Sequence, residues 1–212
     1  MSKPPERTPM ITGHYFNKHQ SGNPLVQMPV NRYRRTLQRL VIDLPVRSAL
    51  EIGSGEGHIL SYIHEVRPDI HIVGSDITFE IVQLGRTRAK TARWCVARAE
   101  RLPFQDNSFE LVVACEVLEH LTTPRRALTE LQRLSTGYCI VSVPNEPLWR
   151  VLNIARGKYL HEWGNTPGHI QHWSRGGITR LIEGYFDVTR VASALPWTFV
   201  LARKREPSYP RT

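Results

Sequence analysis

The run Ala49-Leu50-Glu51-Ile52-Gly53-Ser54-Gly55-Glu56-Gly57 constrains this chain more than any other stretch, because an apolar strand carrying an acid breaks into three glycines at alternate positions. Glycine tolerates positive φ and puts no Cβ between backbone and ligand. The strand must therefore turn sharply and present its peptide groups at the start of a helix, where a nucleotide-type cofactor can lie on them. A glycine turn without a ligand would look the same locally, so the downstream sequence has to separate the two readings.

After a helical stretch from His58 to Val66, Asp69-Ile70-His71-Ile72-Val73-Gly74-Ser75-Asp76 reads as a second buried strand ending in an acid, 19 positions beyond Gly57. In doubly wound sheets the carboxyl ends of neighbouring strands converge on one crevice, and an acid there accepts hydrogen bonds from ribose hydroxyls. Asp76 is the candidate, its alternative role being the cap of a helix beginning near Thr78. The glycine spacing, Glu51-x-Gly53-x-Gly55-x-Gly57, departs from the dinucleotide fingerprint G-x-G-x-x-G. An acid two residues before the first glycine sits poorly beside a pyrophosphate and well beside a cationic group.

Two further blocks complete a pattern: Ala99-Glu100-Arg101-Leu102-Pro103-Phe104-Gln105-Asp106-Asn107-Ser108-Phe109-Glu110-Leu111-Val112, and Cys115-Glu116-Val117-Leu118-Glu119-His120-Leu121. With the glycine turn and Val73-Gly74-Ser75-Asp76-Ile77 in this order, the sequence resembles the class I S-adenosylmethionine-dependent methyltransferases, over about residues 11 to 203. Within them it is similar to the type 11 group that includes ubiquinone-biosynthesis enzymes. The resemblance implies an α/β, Rossmann-like doubly wound sheet of seven strands, mostly parallel with an antiparallel last strand and helices on both faces. It also implies S-adenosylmethionine as cofactor. Gly53, Ser54, Gly55 and Gly57 would approach its methionine portion and Glu51 its ammonium, with Asp76 and Ile77 holding ribose and adenine. Ala99 and Glu100 would line the adenine end, and Cys115 would border the cofactor from the fourth strand. Where relatives often carry an acid for the adenine amino group this chain has Arg98, immediately before Ala99.

Methyl transfer to a hydroxyl requires an oriented acceptor and a place for its proton. Glu116, Glu119 and His120 would share one face if a helical turn follows the fourth strand. His169 and His172 lie in Gly168-His169-Ile170-Gln171-His172-Trp173-Ser174. His120, His169 and His172 are the candidate proton acceptors, histidine being the side chain whose ordinary pKa suits the task. Glu116, Glu119, His120 and His169 form an alternative metal-ligand set for Mg²⁺, Mn²⁺ or Zn²⁺. The same residues resemble a Glu-x-x-Glu-His stretch and a later histidine in RNA 3′-terminal ribose 2′-O-methyltransferases. Residues 146–173, rich in Trp149, Tyr159, Trp163 and Trp173, read as an acceptor lid, and Tyr15 and Phe16 as a closure from the N-terminal side.

The expected organisation is a single methyltransferase domain. It comprises an N-terminal cap and helix (1–46), a cofactor-binding core (47–145), the lid (146–173), a closing helix and strands (174–203) and a tail (204–212). The leading expectation is O-methylation of a small hydroxylated acceptor such as a phenol, quinol, lipid or sugar. Ribose methylation of RNA and a non-catalytic cofactor-binding subunit are the alternatives. A formal charge of +9 leaves RNA or an anionic membrane surface as further partners. Cys95, Cys115 and Cys139 fit no metal spacing and read as reduced core thiols of a cytoplasmic protein.

Overall fold

The computed structural model describes residues 24–155, 157, 161, 163 and 165–206. Tyr15, Phe16, Tyr159 and the last six residues lie outside them. In chain order the described elements are α1 (Pro24–Val41), β1 (Ser48–Ile52), α2 (His58–Val66), β2 (His71–Asp76), α3 (Phe79–Arg88), β3 (Arg93–Val96) and β4 (Phe109–Cys115). A 3₁₀ turn (Leu118–His120) leads to α4 (Pro124–Leu134), β5 (Ser135–Pro144), α5 (Glu146–Ala155), α6 (Arg175–Glu183), β6 (Phe186–Ala194) and β7 (Trp197–Lys204).

All seven strands form one sheet of order β3-β2-β1-β4-β5-β7-β6. The first five run parallel, and β7 enters antiparallel between β5 and β6. The expected topology is therefore present. Only two residues, Leu195 and Pro196, separate β6 from β7, too few for a crossover, so the hairpin must be antiparallel.

Alternation along the central strands divides the core into two layers. Ala49 on β1 and Leu111, Val113 and Cys115 on β4 face one layer with Leu37 and Val41 of α1 and Ile63 of α2. Leu50, Ile52, Val112 and Ala114 face the other, with Leu128 and Leu131 of α4 and Ile178 and Ile182 of α6. Both faces of a parallel sheet are covered by helices, which is why these strands read as nearly unbroken apolar runs. Glu51 breaks the pattern, and it belongs to the site rather than the core. Ser174 caps α6, its hydroxyl accepting from the Gly177 N–H at 3.2 Å. Thr123 precedes α4 without a side-chain cap bond, Pro124 opening that helix instead.

The strand order reverses between β1 and β4. Ligand crevices in such sheets open beyond the strand carboxyl ends at that reversal, and the glycine turn and the Cys115–His120 segment both leave the sheet there.

Candidate active site

β1 ends in a turn laced to its neighbour. The Ser54 N–H donates to Ser75 O at 2.9 Å, and the Ser54 hydroxyl donates to Glu51 O while accepting from Ser75 N–H, each at 3.0 Å. Gly53, Gly55 and Gly57 all have positive φ (61°, 52° and 82°). Their surroundings differ in a way that assigns their tasks. A Cβ at Gly53 would meet Val117 Cγ2 at 2.5 Å and one at Gly57 would meet the Trp94 ring at 3.0 Å, whereas a Cβ at Gly55 meets nothing within 4 Å. The first and third glycines admit neighbouring protein, and the middle one faces open space.

Glu51 is buried, 1% exposed, and neither carboxylate oxygen has a hydrogen-bond partner among the described residues. Burial raises its pKa well above the ordinary carboxylate value; the Ser54 hydroxyl opposes this and the nearby Asp76 charge adds to it. An unpaired buried carboxylate is costly unless a cation arrives to meet it. Asp76 ends β2 with Oδ2 accepting from Gly55 N–H at 3.0 Å and Oδ1 from Thr78 N–H at 3.1 Å. It thus fixes the middle glycine as well as closing the turn before α3. Beside it, Ile77 and Phe79 expose 58% and 56% of their surface, and Val96 at the end of β3 47%. The Ala97 N–H donates to Asp76 O at 2.9 Å, bringing the β3 exit to the same rim. Ala99 packs partly against the core and Glu100 lies 3.7 Å from Arg98, so Arg98 engages the nearest acid. A buried carboxyl group, an open glycine and an apolar rim form a cradle suited to a cationic, adenine-bearing molecule.

Two residues that sequence reading did not single out hold this cradle. Arg88 of α3 reaches Glu56 inside the glycine turn at 2.6 Å and His58 Nε2 at 2.7 Å. Burial, then the Arg88 charge, lowers the His58 pKa to about 4, so the imidazole stays neutral. Trp94 on β3 wedges its indole against Gly57, Gly74 and Gly85; a Cβ at Gly85 would fall 2.2 Å from its ring. Three glycines spread over 29 positions therefore serve one side chain, a signal visible only once the fold joins them.

On the far side of the crevice β4 ends at Cys115, whose thiol turns inward. Burial raises it to about 12, with Glu51 and Glu116 adding to the rise against hydrogen bonds to Tyr33 and Ser142. Its backbone alone is left to border a cofactor. The expected helical face of Glu116, Glu119 and His120 does not form. Glu116 takes a left-handed φ of 59° and only a three-residue 3₁₀ turn follows. The 100° spacing of an α-helix therefore does not apply, and Glu116 falls outside the cluster. Glu119, His120 and His169 instead bring one potential ligand atom each within 4.8 Å of one another.

The segment after α5 is tied to that turn. Ile170 and Gln171 N–H groups donate to Glu119 O at 2.9 and 3.1 Å, and His120 Nδ1 lies 2.9 Å from Gly168 O. His169 is buried, with Nδ1 3.0 Å from Glu146 Oε1 and its ring stacked on Trp149. His172 Nδ1 is 3.4 Å from the same Glu146 oxygen, and Arg150 Nε is 3.5 Å from the other. Burial pushes the Glu146 carboxyl up, but the hydrogen bonds and charges of His169 and His172 outweigh it and hold the pKa below the usual value. Glu146, at the start of α5, is the hub of this side, and no motif flagged it. The expected lid divides: Trp149 is buried against Trp197 and His169, Trp173 packs on the core, and Trp163 is 80% exposed.

Part of the positive charge is used inside the fold. Arg34 bonds Glu65, Arg88 bonds Glu56, and Arg133 spans Asp106 and Glu130.

Crevice, sheet order and glycine cradle are those of the class I S-adenosylmethionine-dependent methyltransferase fold. Residues 50–141 match the family model described as a methyltransferase domain. The chain is 26% identical over 165 residues to a ubiquinone/menaquinone biosynthesis C-methyltransferase of Citrifermentans bemidjiense, covering 72% of this chain and 70% of the relative. It is 23% identical over 103 residues to the demethylmenaquinone methyltransferase of Thermotoga maritima, a match spanning 49% of this chain and 45% of that protein. Magnesium protoporphyrin IX methyltransferase from Synechocystis PCC 6803, solved with bound S-adenosylhomocysteine, shares the fold. Its TM-score is 0.66 at 14% identity, over 86% of this chain and 88% of that one.

Proposed function

We propose that this enzyme methylates a hydroxyl group on a small acceptor bound between the glycine cradle and the α5 side of the crevice. The cofactor supplies an activated methyl group, so that the acceptor loses its hydroxyl proton, gains the methyl, and the spent cofactor leaves as a neutral thioether. Glu51 meets the cofactor's positive charge, and Gly55 lets it approach the backbone. Asp76 takes ribose hydroxyls while keeping Gly55 in place, and Ile77 with Phe79 covers the base. Trp149 and the segment around His169 exclude water from the acceptor.

The observation that carries this reading is the Glu146–His169 pair facing His120 and Glu119. His169 is held through Nδ1 by Glu146 at 3.0 Å, which leaves Nε2 as the ring nitrogen not engaged by that carboxylate. A proton leaving the acceptor has a basic cluster to receive it, which is what a hydroxyl requires. Two relatives named for quinone-pathway methylation, one of them a C-methyltransferase, favour a ring carbon as a second reading.

Methyl-labelled S-adenosylmethionine, offered with a panel of phenols, quinols and sugar alcohols, separates the two by where the label lands. An O-methyl ether formed by the wild type and lost at least tenfold in His169→Asn supports the proposal. Label on a ring carbon overturns it in favour of carbon methylation.

A further inference from the structure

We propose that the outer sides of α1 and α5 form a docking face for an anionic lipid bilayer. Such docking is independent of which acceptor atom receives the methyl group.

α5 carries apolar side chains on both its sides. Trp149 and Asn153, one turn apart, are buried, and Trp149 belongs to the same core layer as Leu37 and Val41 of α1. Val151, Ile154 and Ala155 occupy the opposite side of the helix, Val151 and Ile154 exposing 61% and 44% of their surface. The outward side of a surface helix is ordinarily polar, so an apolar one marks a contact surface. Trp163, further along the chain, is more exposed still. An indole has an apolar body and one N–H, a combination that suits the headgroup layer of a bilayer better than water.

α1 supplies the charge. Its 18 residues contain four arginines and no acid. Arg34 turns to Glu65, whereas Arg32, Arg35 and Arg39 are exposed on the side opposite the buried Tyr33, Leu37 and Leu40. Met28, one turn before Arg32, adds exposed apolar surface to that row. In sequence, residues 147–160 continue the pattern with Arg150, Arg156 and Lys158 and no Asp or Glu. α1 and α5 cover the same face of the sheet, linked through Tyr33, Trp197 and Trp149. A flat surface approaching that face therefore meets both helices.

Charge and apolarity together select the occupant. A second copy of this chain on the same face would set one arginine row against the other, each on a chain of net charge +9. A nucleic acid would meet the arginines and leave Val151 and Ile154 in water. Anionic headgroups pair with arginine while the acyl boundary takes the apolar side chains, and the two contributions add. Among the described residues no helix is long and apolar enough to cross a membrane; the contact proposed is adsorption to its surface.

Flotation of the full chain with phosphatidylcholine vesicles, with and without phosphatidylglycerol, tests this. Binding to the anionic vesicles should be at least about tenfold tighter and should weaken as salt rises. Each arginine near an anionic surface is worth about fivefold, so Arg32→Ser, Arg35→Ser and Arg39→Ser together should cost about a hundredfold. Val151→Ser with Ile154→Ser should cost about tenfold or more. Lipid brominated in its acyl chains should quench wild-type tryptophan fluorescence more than that of Trp163→Phe. Every variant should keep its affinity for S-adenosylhomocysteine, which shows that it is folded and separates failure of docking from failure of the methyltransferase reading. Wild type that ignores anionic vesicles overturns the proposal. So does binding that the arginine changes abolish and the Val151 and Ile154 changes leave intact, because the face then reads charge alone, as it would on RNA. A dimer that the Val151 and Ile154 changes dissolve, with no vesicle binding, overturns it in favour of a second copy.

Discussion

Glu51 shows how a single residue can trade stability for binding. Its carboxylate is buried without a hydrogen-bond partner among the described residues, and burial raises its pKa. A group whose pKa is higher folded than unfolded favours the fold below its unfolded value, and that favour is lost as pH rises through the folded value. Glu51→Gln should therefore melt above the wild type at pH 8 in the absence of cofactor, the gap closing toward pH 4. Removing a charged partner costs about 1.5 to 3 kcal/mol, so the same variant should bind S-adenosylhomocysteine about 10- to 100-fold more weakly. Scanning calorimetry across pH and titration calorimetry give the two readings; a variant neither stabilised at pH 8 nor weaker in binding removes Glu51 from the site.

Among the elements, β3 carries more of the cradle than its four residues suggest. Trp94 requires Gly57, Gly74 and Gly85, and a methyl at Gly85 would overlap its ring. Overpacking of this kind costs about 1 to 3 kcal/mol. Gly85→Ala should lower the melting temperature by about 2 to 4 °C per kcal/mol for a domain of this size. The double variant Gly85→Ala, Trp94→Phe should lose less than the sum of the two singles, because both act on one contact. Strict additivity in thermal melts would show that the ring can move aside. The element scale also shows where sequence pattern misleads. Glu116, Glu119 and His120 have helical spacing, but the chain leaves β4 through a left-handed residue into one 3₁₀ turn. Local periodicity carries no information about that kink. Glu146 was invisible for a related reason: it follows Pro144-Asn145 in no motif, and its role depends on His169, 23 positions away.

For the whole molecule, the two apolar layers flanking one sheet couple the cradle to the closing hairpin. Tyr33 of α1 crosses to Ser142 of β5 at 2.6 Å and packs on Trp197 and Phe199 of β7. Trp197 in turn meets Trp149 of α5. A ligand present at a hundred times its Kd stabilises the folded state by about 2.7 kcal/mol. S-adenosylhomocysteine at that concentration should raise the melting temperature by about 5 to 10 °C in a single transition. A second transition that does not move with ligand would show that cradle and hairpin melt separately.

The sequence by itself determined the sheet and the cofactor class and pointed to the glycine turn and the strand-end acids as cradle candidates, because apolar alternation, glycine spacing and strand-end acids act over a few neighbouring positions. It also supplied the histidines of the acceptor side as types without partners. The tertiary structure decided which of them meet: it excluded Glu116, added Glu146, Arg88 and Trp94, and turned the Cys115 thiol into the core. Those outcomes depend on contacts between residues far apart in the chain, where packing and the direction of the backbone after each strand, not local pattern, set the geometry.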